Sequence, residues 1–266
     1  MAETVGVAVR GLFEYLGKDS MRNRTGVVRN VMAGIEPPER TSSENVAPGA
    51  NALRVPVGDD VVRIMTWADT SSAPERDRLA AKLVVYSVQR RAAVARARKA
   101  DFESAGPLGG LWKLPALHRK TAAMRARRGI DVGAHVVPLP PSAWAVVKRA
   151  IALAEDSEFL FPAERDRKAG KPATTLHPDS LTHIFSEIPG NDVSPHDMRR
   201  AFGTTYANAA KLTPHAVKQI LDHSEGVESG DVTASHYMFT SGTHEKWPTM
   251  QGYVAWVDNV TKRGTI

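Results

Sequence analysis

Apolar side chains recur every three or four residues in the first part of the chain, and this spacing predicts two short helices. The pattern is carried by Val5, Val9, Leu12, Phe13 and Leu16, and then by Val27, Val28, Val31, Met32 and Ile35. The following stretch, EPPERTSSENVAPGAN, is rich in Pro, Ser, Asn and Gly, a composition typical of a linker. We therefore expect a short helical segment at 1–35, a linker at 36–56 and a larger domain at 57–266.

The next part of the chain changes from a helical to a strand-like pattern. Helical spacing is present at 59–69, in a longer helix that begins near Ser72 and Pro74, and in the arginine-dense stretch 90–103. Glycines then bound a strand-like segment at 106–117, and HVVPLP (135–140) has the composition of a second strand. Since a basic stretch separates these strands, we expect a small sheet with a positively charged turn.

Helical spacing returns at Pro141 and continues towards the C-terminus. We expect helices at 177–188, at 195–210 and from Pro214 to about Leu221. The short run FLFP (159–162) fits either an edge strand or a filler of the core. Together these patterns predict a mainly α fold with a small antiparallel β-sheet, which is the α+β class.

Charge and composition narrow the possible functions. The 266 residues have a formal net charge of +6 and a pI near 9.6, and a basic surface favours polyanions, with nucleic acid first and an anionic membrane second. The chain has no cysteine, which excludes disulfides, thiolate metal sites and a cysteine nucleophile. It also lacks an apolar run of about 18 residues and a recognisable signal peptide, so we expect a soluble, cytoplasmic protein.

The stretch SPHDMRRAFGTT (194–205) places several polar groups at the start of a predicted helix. Ser194 and Asp197 have the spacing of a capping box, and Pro195 stands at the first helical position. A helical wheel puts His196 and Arg199 on the side away from the apolar stripe, one turn apart, where both can approach one anion. The stretch alone is compatible with a solvated surface, with a phosphate-binding pair or with half of a metal site.

Two more polar residues follow in the same order along the chain. QILDHSEG places His223 after the next predicted helix, and DVTASHYMF places Tyr237 beyond a turn. A tyrosine hydroxyl can attack a phosphodiester when its proton is removed and the charge of the phosphate is neutralised. Histidine and arginine are the side chains that this chemistry needs, although Tyr237 taken alone fits a packing or surface tyrosine.

The ordered set H-D-M-R-R, L-D-H-S and T-A-S-H-Y resembles the C-terminal signature of the tyrosine recombinase (phage integrase) family. The resemblance extends upstream. YSVQRRAAV offers Arg90 for the family's T-G-x-R-x-x-E pattern, and WKLPALHRK ends on Lys120, where the family has a lysine between two strands. It covers the chain from about Asp59 to the C-terminus.

Three positions depart from that pattern. Ser87 and Val88 stand where the family has Thr and Gly, and Ala93 replaces an acid that supports the site. The turn after the first strand is long and basic, so Lys113 or Arg119 is an alternative to Lys120. The helical core-binding domain that precedes the family's catalytic domain is expected to be reduced, missing or truncated at 1–35.

The resemblance implies a mechanism in which Tyr237 attacks the scissile phosphate and forms a 3′-phosphotyrosyl link. The other implied catalytic residues are Arg90, Arg199, His196, His223 and Lys120. The arginines expected to contact the DNA backbone are Arg91, Arg96, Arg98, Arg119, Arg125, Arg127, Arg128 and Arg200. No metal and no cofactor is implied.

The implied partners are double-stranded DNA at attachment sites, a tetramer of this chain on DNA, and accessory or partner recombinase proteins. In the family a C-terminal segment is often passed to a neighbouring subunit. The apolar residues Tyr253, Val254, Trp256 and Val257 fit that segment, and packing on their own domain is the alternative.

Other functions remain compatible with the sequence. A recombinase-like protein that binds DNA or a partner but cleaves poorly is one, and a type IB topoisomerase-like relaxase is another. An HD-type metallo-phosphohydrolase would use His196 and Asp197 as ligands and would recruit His177, His183 or His215, whose spacing does not favour a metal.

Overall fold

The computed structural model describes residues 2–31, 55–127, 129, 132–163, 174–222 and 232–264, and within these ranges the side chains of 2–8, 120, 121, 124, 125 and 232–242 are left out. The chain divides into two compact units, Met1–Arg54 and Val55–Ile266. The linker expected at 36–56 lies almost entirely outside the described residues. None of the described helices is long and apolar enough to cross a membrane.

The first unit contains helix α1 (Ala2–Leu16) and helix α2 (Asp19–Thr25). The hydroxyl of Thr25 donates to the carbonyl of Leu16 at 3.0 Å and thereby ties the end of α2 to the end of α1. The second predicted helix is wrong in position, since the described residues after Thr25 are not helical. Gly26 ends α2 in the left-handed conformation (φ +71°), which interrupts the helix before the apolar residues that suggested it.

Within the described residues, the second unit contains ten α-helices, three short 3₁₀ helices and one π-helical segment. In chain order the helices are α3 (Gly58–Thr70), α4 (Glu75–Ser87), α5 (Arg91–Ala95), α6 (Lys120–Arg127), α7 (Pro141–Leu153), α8 (Pro178–Glu187), α9 (Pro195–Arg200), α10 (Ala207–Ala209), α11 (Pro214–Leu221) and α12 (Val232–Gly264). The π-helical segment, Ala201–Tyr206, joins α9 to α10, so the helix predicted at 195–210 is continuous but not uniform.

Three short antiparallel strands form the sheet, in the order β1 (Phe102–Ser104), β2 (Gly110–Leu114) and β3 (His135–Leu139). The two predicted strands are present with narrower bounds, and α6 occupies part of the basic turn between them. The prediction of a helix through residue 103 is wrong, because α5 ends at Ala95 and β1 follows. Phe102 pairs with Trp112 and stacks on its ring at 5.3 Å, a contact that a single-sequence pattern does not reveal.

The core lies around α4, whose side chains from Leu79 to Ser87 are nearly all buried. The run FLFP fills the core, since Leu160 and Phe161 are each 1% exposed. The C-terminal half of α12 packs into the same core through Tyr253 and Val257. The apolar stretch at 253–257 thus packs on its own domain in this structure. The fold is mainly helical with a small antiparallel sheet, as predicted.

Candidate active site

The N-terminus of α9 is held by the capping box that the sequence predicts. The backbone N–H of Ser194 donates to Asp197 Oδ2 at 2.8 Å, and the Ser194 hydroxyl donates to the same oxygen at 2.7 Å. Arg200 donates to the other oxygen, Oδ1, at 3.0 Å. The carboxylate of Asp197 is therefore occupied by the helix start. Among the described residues, no three His, Asp or Glu side chains form a group that could hold a metal ion.

Arg199 is buried beneath the site, with an exposed fraction of only 3%. Its Nη1 donates to the carbonyl of Val88 at 2.7 Å and its Nη2 donates to the carbonyl of Leu221 at 2.5 Å. Burial and the charge of Arg90 lower the pKa of Arg199 to about 10, and the negative charge of Asp222 opposes part of this shift. The helical wheel correctly separates Arg199 from the apolar stripe but does not reveal its burial, because the residues that enclose its guanidinium, Val88 and Leu221, come from the ends of α4 and α11.

Val88 ends α4 in the left-handed conformation, with φ +50° and ψ +25°. A β-branched residue is rarely found there, and the conformation costs about 1–2 kcal/mol for an L-residue. The side chain of Val88 is fully buried, and the hydrophobic effect offsets this strain. The backbone conformation gives a physical reason for the glycine of the T-G-x-R pattern at this position. It also turns the Val88 carbonyl towards Arg199.

Arg199 belongs to a buried polar layer, which we define as Ser87, Gln89, His135 and Arg199. These are four of the five buried polar or charged residues in the described part of the chain. Gln89 donates from Nε2 to the carbonyl of Ile220 at 3.0 Å, and His135 Nε2 lies 3.2 Å from the same oxygen. Burying polar groups is costly unless they are hydrogen-bonded. The concentration of four such groups at one place is therefore typical of a functional site.

Asp222 adds a carboxylate at the edge of this layer. Arg119 donates to it through two parallel hydrogen bonds, from Nε to Oδ2 at 2.8 Å and from Nη2 to Oδ1 at 2.5 Å. Arg90 Nη1 lies 3.9 Å from Oδ2, and His135 Nδ1 lies 3.8 Å from Oδ1. Burial acts to raise the pKa of Asp222, but the hydrogen bonds from Arg119 and the nearby positive charges hold it below its usual value.

Lys246 extends the cluster to α12. Its Nζ donates to the carbonyl of Val136 at 3.0 Å and lies 3.4 Å from His135 Nδ1. These contacts fit a neutral His135 that carries its proton on Nε2. Burial and the charge of Lys246 lower the pKa of His135 to about 3, and burial lowers the pKa of Lys246 to about 8.

An open cleft of about 790 Å³ lies above these residues. Its lining, which we call the cleft surface, includes the cations Arg90, Arg96 and Arg127 together with His196. Burial and the charge of Arg199 lower the pKa of His196, so this exposed ring is neutral at pH 7. Several cations and a neutral imidazole thus face one cavity, an arrangement suited to binding an anion and accepting a proton from a hydroxyl group beside it.

The structure brings some of the other predicted residues to the cleft and leaves others away from it. Arg91 and Arg119 line the cleft, but Arg91 is paired with Asp179 at 2.8 Å. Arg98 does not line it and instead pairs with Glu158 at 2.9 Å. Arg119 is held by Asp222, so all three of these predicted DNA-contacting arginines have an acidic partner within the protein.

Three further predicted residues have separate outcomes. Arg200 pairs with Asp197 beside the cleft. Lys113, the alternative to Lys120, is exposed on β2 and forms an ion pair with Glu103. Lys120 begins α6, but its side chain lies outside the described residues.

Other predicted positions cannot be placed in the same way. His223 and Arg128 lie outside the described residues, as do the side chains of Arg125 and Tyr237. The backbone of Tyr237 belongs to α12, the helix that also carries Lys246.

Sequence analysis missed Asp222, His135 and Lys246. Asp222 was the unspecified residue in L-x-H, and His135 was only the first residue of a predicted strand. Lys246 followed Tyr237 by more than two helical turns with no motif to single it out. The one available signal was the position of Asp222 between two residues of a quoted motif.

Comparison with known proteins assigns the chain to a family. The sequence profile of the phage integrase family matches residues 57–237, and this chain belongs to that family. A crystal structure of the XerH site-specific recombinase, bound to its difH substrate in a pre-cleavage complex, has a similar fold, with a TM-score of 0.55. The identity is 12%, and the match covers 91% of this chain and 62% of that one. The chain thus spans less than two thirds of the length of that recombinase. A search of curated proteins finds no significant match.

Proposed function

We propose that this chain cuts and rejoins double-stranded DNA at specific sites through a covalent link between Tyr237 and a 3′ phosphate. The observation that carries the proposal is the convergence of Arg90 and His196 on one basic cleft, with the buried charge of Arg199 close to both, in a chain of the phage integrase family. These residues come from two segments about a hundred positions apart. A chance surface cluster does not account for the buried polar layer that supports them.

The environments of Arg90, Arg199 and His196 suit the roles that we propose for them. Arg90 stabilises the charge that develops on the phosphate, and the buried charge of Arg199 adds to the same field. His196, neutral at pH 7, takes the proton of Tyr237. Free tyrosine is only about 0.1% ionised at pH 7, so this help and the nearby positive charge matter. Lys120 protonates the leaving 5′ oxygen, and His223 hydrogen-bonds the phosphate.

The wider proposals follow from the same function. Residues 57–266 form the catalytic domain, 36–56 form a linker, and 1–35 form a short helical segment. The partner is DNA at attachment sites, on which the chain assembles as a tetramer with or without accessory proteins. Such a protein works in the cytoplasm, where the DNA is.

The proposal is tested with a nicked duplex that traps the covalent intermediate. The binding site is first selected from a random duplex library with the wild-type protein, and the duplex is then incubated with protein in the presence of EDTA. We expect a covalent adduct that Tyr237→Phe abolishes while DNA binding is retained.

Tyr15→Phe serves as the control, because Tyr15 is an exposed tyrosine of α1 outside the matched region. This variant should form the adduct at the wild-type rate. An adduct with Tyr237→Phe would show that the nucleophile is assigned wrongly. DNA binding by wild type without any adduct would favour a DNA-binding protein that does not cleave.

A further inference from the structure

The carboxylate of Asp222 is surrounded by cations from three separate segments of the chain. Arg119 holds it with two hydrogen bonds, Arg90 lies 3.9 Å away, and Lys246 contacts His135 beside it. The Asp222 side chain is only 12% exposed. A carboxylate in this position is fixed by Arg119 and acts on the other cations through its charge.

Arg90 needs such a partner because it stands close to a second buried positive charge. Burial is the main cause of the lowered pKa of Arg199, and the charge of Arg90 adds to it, so the two guanidinium groups repel each other. Helix α5, which follows Arg90 directly, has no acidic residue, and Ala93 is buried within it. Among the described ion pairs, the partner of Arg90 is Asp222.

The geometry leaves Arg90 free to bind a ligand. A distance of 3.9 Å is too long for a hydrogen bond, so the pair orients Arg90 without occupying its donors in that direction. The Arg90 side chain is also 29% exposed and lines the cleft. Asp222 thus offsets the repulsion between the arginines while the guanidinium of Arg90 still faces the cavity.

We propose that Asp222, fixed by Arg119, is a positioning residue that holds Arg90 in the orientation needed to bind the scissile phosphate. This inference rests on the proposed function for its consequence in cleavage, but not for the contact itself. It also gives Arg119 a role different from DNA backbone contact, because both of its hydrogen bonds to Asp222 point inward.

The competing explanation is that Asp222 only anchors the end of α11. Asp222 is the C-cap of α11 in the left-handed conformation (φ +53°), and Arg119 also donates to the carbonyl of Gly133 at 2.8 Å. Asn tolerates this conformation and keeps one acceptor, so Asp222→Asn removes the charge with little change to the backbone. Glu158→Gln, which removes the same charge from an exposed pair with Arg98, is the matched control.

The first experiment is a double-mutant cycle on the rate of adduct formation. Asp222→Asn should slow the reaction by about 10–100-fold at unchanged DNA affinity, and Glu158→Gln should leave it unchanged. In an Arg90→Ala background, Asp222→Asn should cause no further loss, because its effect passes through Arg90. Equal losses in both backgrounds, or wild-type rates for Asp222→Asn, would overturn the proposal.

The second experiment needs neither DNA nor cleavage. The order parameters of the Arg90 and Arg119 side chains are measured at Nε by ¹⁵N NMR relaxation, and both should be lower in Asp222→Asn than in wild type. If Asp222→Asn does not fold, Arg119→Lys replaces it, since lysine keeps the charge but not the paired hydrogen bonds. An Arg90 signal unaffected by these variants would overturn the positioning role.

The two experiments separate the two proposals. If wild type forms no adduct but the NMR signals still differ between wild type and Asp222→Asn, the proposed function is refuted and the contact between Asp222 and Arg90 is supported. An adduct that is insensitive to Asp222→Asn would do the opposite.

Discussion

The buried polar layer and the cleft surface differ in how their polar groups are held. Each of the side chains in the buried layer is hydrogen-bonded to a backbone carbonyl, and Arg199 is bonded to two of them. On the cleft surface, by contrast, no described carboxylate lies within ion-pair distance of Arg96 or Arg127. Buried charges with fixed partners set geometry at a cost in stability, whereas exposed charges supply attraction. We therefore expect substitutions in the buried polar layer to lower stability or cleavage, and substitutions on the cleft surface to lower DNA affinity.

The largest effect is expected from Arg199→Lys. Lysine cannot donate to two separated carbonyls as the guanidinium fork does, so one buried acceptor is left unsatisfied. The free energy of unfolding should fall by about 1–3 kcal/mol. Adduct formation should slow on the order of 10²–10³-fold, while DNA affinity changes little because the residue is buried. Urea unfolding and the nicked-duplex assay measure the two quantities.

Arg200→Lys is the matched control for this substitution. Arg200 is the next residue of α9, but its side chain is 38% exposed and is paired with Asp197. The conservative change should leave both stability and cleavage close to wild type. Comparable losses for the two variants would mean that the buried hydrogen bonds of Arg199 do not determine the geometry of the site.

The helix starts and the two strands could be predicted because their signals are local. Ser194 and Asp197 are three positions apart, and their hydrogen bonds depend on little beyond that spacing. The burial of Arg199 could not be predicted in this way, because a helical wheel sees only the apolar stripe of α9 and not the elements that cover its other side.

Ion pairs and strand pairs between distant positions could likewise not be predicted from the sequence. Arg119 and Asp222 are separated by 103 positions, and neither residue type reveals the other. Strand β1 has only three residues, so its identity depends on pairing with β2 rather than on its own pattern. The family resemblance pointed to Arg90 and Arg199 as candidate phosphate-binding residues, but it gave no indication that the carboxylate of Asp222 lies near Arg90.

The second effect, about 2 kcal/mol, concerns His135 and pH. Because the pKa of His135 is lowered to about 3 in the folded protein, the unfolded chain binds a proton near pH 6.5 that the folded chain does not. The contribution of neutral His135 to the free energy of unfolding is therefore fully present above pH 6.5 and is lost as the pH falls towards 3. Between pH 7 and pH 5 the loss from this residue amounts to about 2 kcal/mol.

His135→Gln isolates this contribution. Glutamine can donate to the Ile220 carbonyl but has no proton to gain in this range, so its stability should fall by about 2 kcal/mol less between pH 7 and pH 5. The other groups near His135, namely Lys246, Asp222 and Arg119, are the same in both proteins. Urea unfolding at the two pH values provides the measurement. Parallel losses in the two proteins would show that His135 is not held neutral by its surroundings.

The smallest effect is expected from the cleft surface, where Arg96→Gln and Arg127→Gln are combined. If each arginine meets one DNA phosphate, the slope of log K against log salt should become shallower by about 0.9 per residue, or about 2 in all. At low salt the affinity should fall by roughly tenfold, with the rate of adduct formation from bound DNA unchanged. The control combines Arg98→Gln and Arg149→Gln, which remove the same charge from arginines paired with Glu158 and Glu75 outside the cleft. Fluorescence anisotropy over a salt series measures both variants. Equal slopes for the two double variants would mean that the net charge of the protein, rather than the position of the arginines in the cleft, determines DNA binding. The difference between the buried polar layer and the cleft surface would then not extend to DNA affinity.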